Sequence, residues 1–152
     1  MTHLLKSLMN RNLLALVAFT AAVTPQALNA EGQNGVLHVT KECSAYTGAA
    51  GSFCTITSSN LLEIKVGSKI YYDQAAGTPT GMLDSNIVLV VGTGDWAVGR
   101  CTLDGRTHLG LCTILDGTGQ LAGFSARVNV SSTDGVNYHW EGTYSFSPGR
   151  GR

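Results

Sequence analysis

Between residues 35 and 146, apolar and polar residues alternate with a period of two. The alternation is broken by Gly, Asn, Asp and Pro, and no stretch carries a helical periodicity. The pattern predicts about eight strands: 36–41, 53–57, 61–66, 69–72, 82–91, 96–103, 109–115 with 121–130 after a Gly-rich turn, and 136–146. Residues 75–81, with Pro79 inside them, read as a loop, because proline cannot donate to a sheet ladder.

The last hairpin can be registered. Ser131, Ser132, Thr133, Asp134 and Gly135 form a turn, so Val130 is expected opposite Val136. Counting outward predicts Val128 opposite Tyr138, Ala126 opposite Trp140, Phe124 opposite Gly142 and Ala122 opposite Tyr144. The other face pairs Arg127 with His139 and Ser125 with Glu141. A sheet with one apolar face must cover it, and sequential hairpins do so as a sandwich or a closed barrel. The expectation is an all-β, eight-stranded antiparallel barrel.

The N-terminus departs from the pattern. Lys6 and Arg11 precede an apolar run at 13–23, then Pro25 and small residues, the tripartite layout of a secretory signal peptide. The run is too short to span a bilayer comfortably. Cleavage is expected after Ala30, with Ala27 as the alternative, leaving one domain at 31–146 and a disordered Gly/Arg tail at 147–152. The product is expected to be secreted or periplasmic, with no membrane attachment after cleavage.

Composition strengthens the β reading and excludes some partners. Charged residues are 13% of the chain, half the usual quarter, and 19 of 152 residues are Gly. Formal net charge is zero from 10 basic and 10 acidic residues, and loss of Lys6 and Arg11 with the leader makes it −2. Nucleic acid and anionic membranes are therefore not expected partners.

All four cysteines follow the leader, and an even count in an exported chain reads as disulfides. Cys43 and Cys54, like Cys101 and Cys112, enclose ten residues of turn-type sequence, so each pair can staple its own hairpin. Directly opposed strand residues lie within disulfide reach. The other two connectivities remain compatible with the sequence. No Cys-x-x-Cys or matching His spacing supports a metal site, and no cofactor is expected.

The segment Gly117-Thr118-Gly119-Gln120-Leu121-Ala122-Gly123-Phe124-Ser125-Ala126, after Cys112-Thr113-Ile114-Leu115, resembles the Gly-Thr-Gly turn and following strand of the allene oxide cyclase and dirigent barrel superfamily. The closing Tyr138-His139-Trp140-Glu141-Gly142-Thr143-Tyr144-Ser145-Phe146 is similar to the last strand of its bacterial members. The resemblance covers about residues 83–146 and implies an eight-stranded barrel with a hydrophobic cavity. It also implies either cyclase chemistry on a flexible apolar substrate or dirigent-like steering of a bound one. The polar cavity residues of neither branch match positions here, so no catalytic residue is assigned.

An inward apolar face places Phe124, Tyr138, Trp140 and Tyr144 in the interior. Trp96 shares its phase with Val98, Arg100 and Thr102, opposite Leu111, Thr113 and Leu115 if Cys101 pairs with Cys112. Arg100 is then a charge on an apolar stripe, which must meet an acid, the barrel mouth or a ligand. The expected ligand-binding set is Trp96, Arg100, Thr113, Phe124, Tyr138, Trp140 and Tyr144, with Arg100 and Thr113 as its polar handle. The plainer reading pairs Arg100 with Asp84 or Asp95.

Two other constellations read more simply. His139 and Glu141, with Arg127 across the strand, suit an outer face carrying cross-strand charge pairs better than an acid–base pair. Gly92-Thr93-Gly94-Asp95 and Gly117-Thr118-Gly119 join strand to strand, without the helix N-terminus an anion site needs. Three functions follow as expectations: a dirigent-like barrel binding a small hydrophobic molecule without bond-making residues of its own, a cyclase or isomerase, or a scaffold acting through loops 44–53 and 74–81. A homo-oligomer is compatible with each.

Overall fold

The computed structural model describes residues 32–77 and 80–147. The expected leader at 1–30 and nearly all of the expected tail lie outside these residues. Eight strands follow in chain order: β1 (Asn34–Glu42), β2 (Phe53–Ser59), β3 (Lys69–Tyr72), β4 (Met82–Gly92), β5 (Asp95–Asp104), β6 (Leu109–Gly117), β7 (Phe124–Ser131) and β8 (Asn137–Phe146). Each pairs antiparallel with the next, and β1 pairs with β8 to close a barrel. Closure removes both sheet edges, so no strand is left with an unpaired side.

One expected strand is absent. Residues 61–66 form a turn in which Leu61 and Ile64 are buried while Leu62 and Val66 are exposed. The Ile64 amide donates to the Leu61 carbonyl at 3.1 Å, a local turn bond in place of a ladder. The eighth strand comes instead from the separation of β6 and β7 by a single 3-10 turn, Gly119–Leu121. Leu61, Ile64 and Leu121 cap the core at the end of the barrel opposite to the pocket described below.

The last hairpin is in a different register from the one expected. Val130 pairs with Trp140, Val128 with Gly142, Ala126 with Tyr144 and Phe124 with Phe146. Asp134 sets this offset: its carboxylate accepts the amides of Val136 at 2.9 Å and Asn137 at 2.7 Å and the Asn137 side-chain amide at 2.8 Å. The Val136 carbonyl is then free to accept the Cys43 amide at 2.9 Å. Each β7 residue thus meets a partner four positions later than expected. An even slide leaves the side-chain faces unchanged, so Phe124, Val128, Val130, Tyr138 and Trp140 still point inward. It also puts Gly142 where a methyl would lie 2.0 Å from the Arg127 carbonyl oxygen, so β7 and β8 approach at a point only glycine permits.

Both disulfides join the hairpin partners, Cys43 to Cys54 and Cys101 to Cys112. Cys101 and Cys112 are directly paired residues of β5 and β6 and both are buried. The interior is filled by side chains, chiefly Leu37, Val39, Ile56, Ile70, Ile87, Leu89, Ile114, Phe124, Val128 and Trp140. An eight-stranded barrel is just wide enough for such packing. The interior is packed rather than hollow, and a pocket of about 90 Å³ lies at one mouth.

Candidate functional site

Leu37, Val39 and Lys41 share one phase of β1, and all three face into the barrel. Burial of Lys41 follows from the parity of the strand, and its side chain is only 3% exposed. The Nζ donates to the Tyr72 hydroxyl at 2.5 Å. Around it stand three rings, Trp140 at 4.7 Å from Nζ to ring centre, Tyr72 at 5.2 Å and Tyr138 at 5.9 Å. No carboxylate forms an ion pair with it among the described residues. Ring quadrupoles offset part of the cost of a buried cation, but less than a carboxylate does. Burial accordingly lowers the Lys41 pKa from 10.5 to about 7.

The lysine lies at a pocket of about 90 Å³. Cys43, Cys54, Leu83 and Leu103 give its apolar wall, while Tyr46, Tyr72, Tyr138 and Gly135 complete it. These residues come from the end of β1, the start of β2, the end of β3, the start of β4, the end of β5 and the start of β8, so the pocket occupies one mouth of the barrel. The Cys43–Cys54 disulfide ties its wall to the loop that carries Tyr46. That loop is held by backbone bonds from Gly51 to the Tyr72 carbonyl at 2.7 Å and from Ala76 to the Gly48 carbonyl at 2.9 Å. Tyr46 meets Tyr72 edge to face at 5.2 Å, and its buried hydroxyl has no hydrogen-bond partner among the described residues.

Burial pushes the Tyr72 and Tyr46 hydroxyls above the ordinary phenol range, helped for Tyr72 by Tyr46 and Tyr138 and for Tyr46 by Tyr138. Tyr138 is raised by burial and then by the charge of Asp134. At neutral pH the pocket therefore holds three protonated phenols beside an amine near its midpoint. Such a set can donate hydrogen bonds, and the neutral amine offers a lone pair.

The seven sequence-selected residues divide between two faces. Phe124 and Trp140 are fully buried, Tyr138 lines the pocket, and Tyr144 is half-buried beside Phe124. Trp96, Arg100 and Thr113 lie on the outside. Cys101 and Ala97 take the inward phase of β5, which turns Trp96, Val98, Arg100 and Thr102 outward. Arg100 and Thr113 are cross-strand partners there, in a shallow concavity that also holds Val98, Leu111 and Leu115. Arg100 makes a two-pronged ion pair with Asp84, both distances 2.8 Å. The plainer reading of Arg100, a pair with Asp84, is the one observed, and Arg100 and Thr113 face the outside of the barrel, whereas Lys41 faces its interior. We expect Arg100→Ala to leave both the denaturant midpoint and pocket binding unchanged, because exposed pairs contribute little; a denaturation curve and the titration described below check this.

The sequence signal for Lys41 is its parity with Leu37 and Val39, while its place at the end of the expected strand 36–41 carries no expectation of burial. His139 and Glu141 are on the outer face as expected, with Glu141 paired to His38 and His139 beside Thr40. The two Gly-Thr-Gly turns lock onto each other. The Asp95 carboxylate accepts the Gln120 amide at 3.1 Å, and the Thr118 hydroxyl donates to the Gly94 carbonyl at 2.7 Å. Gly119 has φ +57°, and a methyl there would meet the Asp95 carboxylate at 1.8 Å. These are structural joints. The described residues contain no cluster of His, Cys, Asp and Glu suited to a metal ion, and none of their helices is long and apolar enough to cross a membrane.

Comparison with protein-family models, with curated proteins and with solved structures returned no match to this chain.

Proposed function

We propose that the protein is a secreted or periplasmic barrel, of the allene oxide cyclase and dirigent type, that binds one small molecule at the mouth where Lys41 lies. The ligand has an apolar body and one oxygen-bearing end. One observation carries this reading: a lysine 3% exposed, without an acidic partner among the described residues, borders a pocket that also holds the Tyr46 hydroxyl, likewise unpartnered among them. Buried polar groups are ordinarily satisfied, and unsatisfied ones beside a pocket suit a ligand that supplies the missing bond. The apolar wall of Leu83, Leu103 and the Cys43–Cys54 disulfide suits the body of the ligand. Two disulfides support an oxidising compartment.

Phenol and benzoate are suitable probes, read through Trp140 in a Trp96→Phe background that removes the exposed indole. A saturable fluorescence change is expected, lost when Leu83→Phe fills the pocket without altering the circular dichroism of the barrel. No saturable change with either probe, or an equal change in the filled variant, overturns the reading.

A further inference from the structure

We infer that Lys41 is a covalent carbonyl-capturing residue, whose Nζ forms an imine with a small apolar aldehyde or ketone held in the mouth pocket. The inference rests on the binding reading above and adds the chemical class of the ligand. The geometry supplies three things that imine formation needs. The amine is buried among Trp140, Tyr72 and Tyr138, and no carboxylate of the described residues pairs with it to hold it protonated. It borders a pocket of about 90 Å³ whose wall includes Leu83, Leu103 and the Cys43–Cys54 disulfide, which suits the carbon body of a short carbonyl compound. Its hydrogen-bond partner, the Tyr72 hydroxyl at 2.5 Å, holds Nζ at the pocket and is a protonated donor beside the reacting atoms.

The Nζ lone pair attacks the carbonyl carbon, forming the C–N bond while the carbonyl π pair moves to oxygen, and one N–H proton is transferred to that oxygen. The resulting carbinolamine breaks its C–O bond and loses the hydroxyl with the second N–H proton as water, as the nitrogen pair closes C=N. The net change is amine plus carbonyl giving imine plus water, with no oxidant or reductant. A desolvated lysine in an apolar pocket is an established way to activate an amine for this step. Burial favours the neutral form. The titratable groups facing Nζ are Tyr72 from β3, Tyr138 from β8 and Tyr46 from the loop after β1, all with raised pKa values and so protonated at neutral pH.

Lys65 and Lys69 are internal controls, the first in the turn before β3 and the second on β3 with its Nζ 4.3 Å from the Phe53 ring. The disulfide-bonded protein, expressed from the full chain, is treated at pH 7 with butanal and cyanoborohydride. Reduced adducts are located by peptide mapping, and non-covalent binding of butanal is followed in parallel through Trp140 fluorescence in the Trp96→Phe background. Lys41 is expected to be alkylated at least tenfold faster than Lys65 and Lys69. A neutral fraction near one half, against about one in 2,500 for an ordinary lysine, leaves room for steric slowing. Saturable fluorescence without preferential labelling overturns the imine but keeps the binding reading. Neither saturable fluorescence nor preferential labelling overturns both. Because the labelling uses unaltered lysines, the outcome does not depend on a Lys41 variant that folds.

Discussion

Raising the pH from 7 to 9.5 is expected to stabilise the folded protein by about 3 kcal/mol, and Lys41→Met is expected to abolish most of that rise. The unfolded chain holds its Lys41 proton up to about pH 10.5, whereas the folded chain releases it near 7. Across this interval the unfolded state binds more protons, so stability increases with pH; below about 6 both states are protonated and the cost is constant. The upper limit is set by the tyrosines. Tyr46, Tyr72 and Tyr138 have raised pKa values when folded, so their contribution is full below the unfolded value of 10.0 and declines as pH rises past it. Asp84, Asp104 and Asp134 are lowered by hydrogen bonds, chiefly to Arg100, Arg106 and Asn137, and weaken the fold only as pH falls into the carboxylate range. The check is the urea midpoint of wild type and Lys41→Met from pH 6 to 9.5 at constant ionic strength. Equal slopes in the two proteins would mean that Lys41 is an ordinary, protonated lysine. The slope is the informative quantity, since Met also leaves the Tyr72 hydroxyl without its partner.

Trp140→Ala is expected to cost about 3–5 kcal/mol, the usual range for deleting a buried large aromatic side chain. Trp140 is 0% exposed and pairs with Val130 on one side and Val39 on the other, so the barrel cannot collapse around the vacancy without breaking two ladders. The same change removes the ring nearest to Nζ of Lys41, at 4.7 Å. Trp140→Phe is expected to cost less, because the indole Nε1 has no partner to lose. Urea denaturation of the two variants measures both effects. A loss below about 1 kcal/mol for Trp140→Ala would show that the interior is loose enough to refill, contrary to close packing.

How much of the molecule could be read in advance varies by element. The long alternating runs that become β4, β5 and β8 were legible, because a half-buried strand needs the same period-two pattern wherever its partners lie. Residues 61–66 carry as many apolar residues as a strand, yet they turn so that Leu61 and Ile64 plug one end of the core. Their local pattern does not distinguish a strand from a plug. The β7–β8 register depended on Asp134, whose carboxylate gathers backbone amides beyond the expected turn and moves the first pairing to Ser131 with His139.

The candidate site was less legible than the fold. Phe124, Tyr138, Trp140 and Tyr144 were placed on the inward side because an even slip in register preserves face. Trp96, Arg100 and Thr113 lie on a stripe that is also rich in apolar residues, so its pattern leaves open both an inward position and a surface pair of Arg100 with Asp84. The buried Cys101–Cys112 bridge takes the opposite phase and turns them outward. Lys41 was overlooked since a charged residue at the end of a strand usually reaches solvent.

The sequence by itself determined the long strands β4, β5 and β8, the inward stripe of β7 and β8, and the two hairpin spacings at which the cysteines meet, since each depends on side-chain parity or short-range reach along the chain. Only the tertiary structure decided that the barrel closes through β1 and β8, that its interior is packed save for one mouth, and that Lys41 stands there among Tyr72, Tyr138 and Trp140. Those three rings come from two strands, one 31 and the other about a hundred residues along the chain from Lys41, and the lowered pKa is a property of their shared burial, which no local pattern encodes.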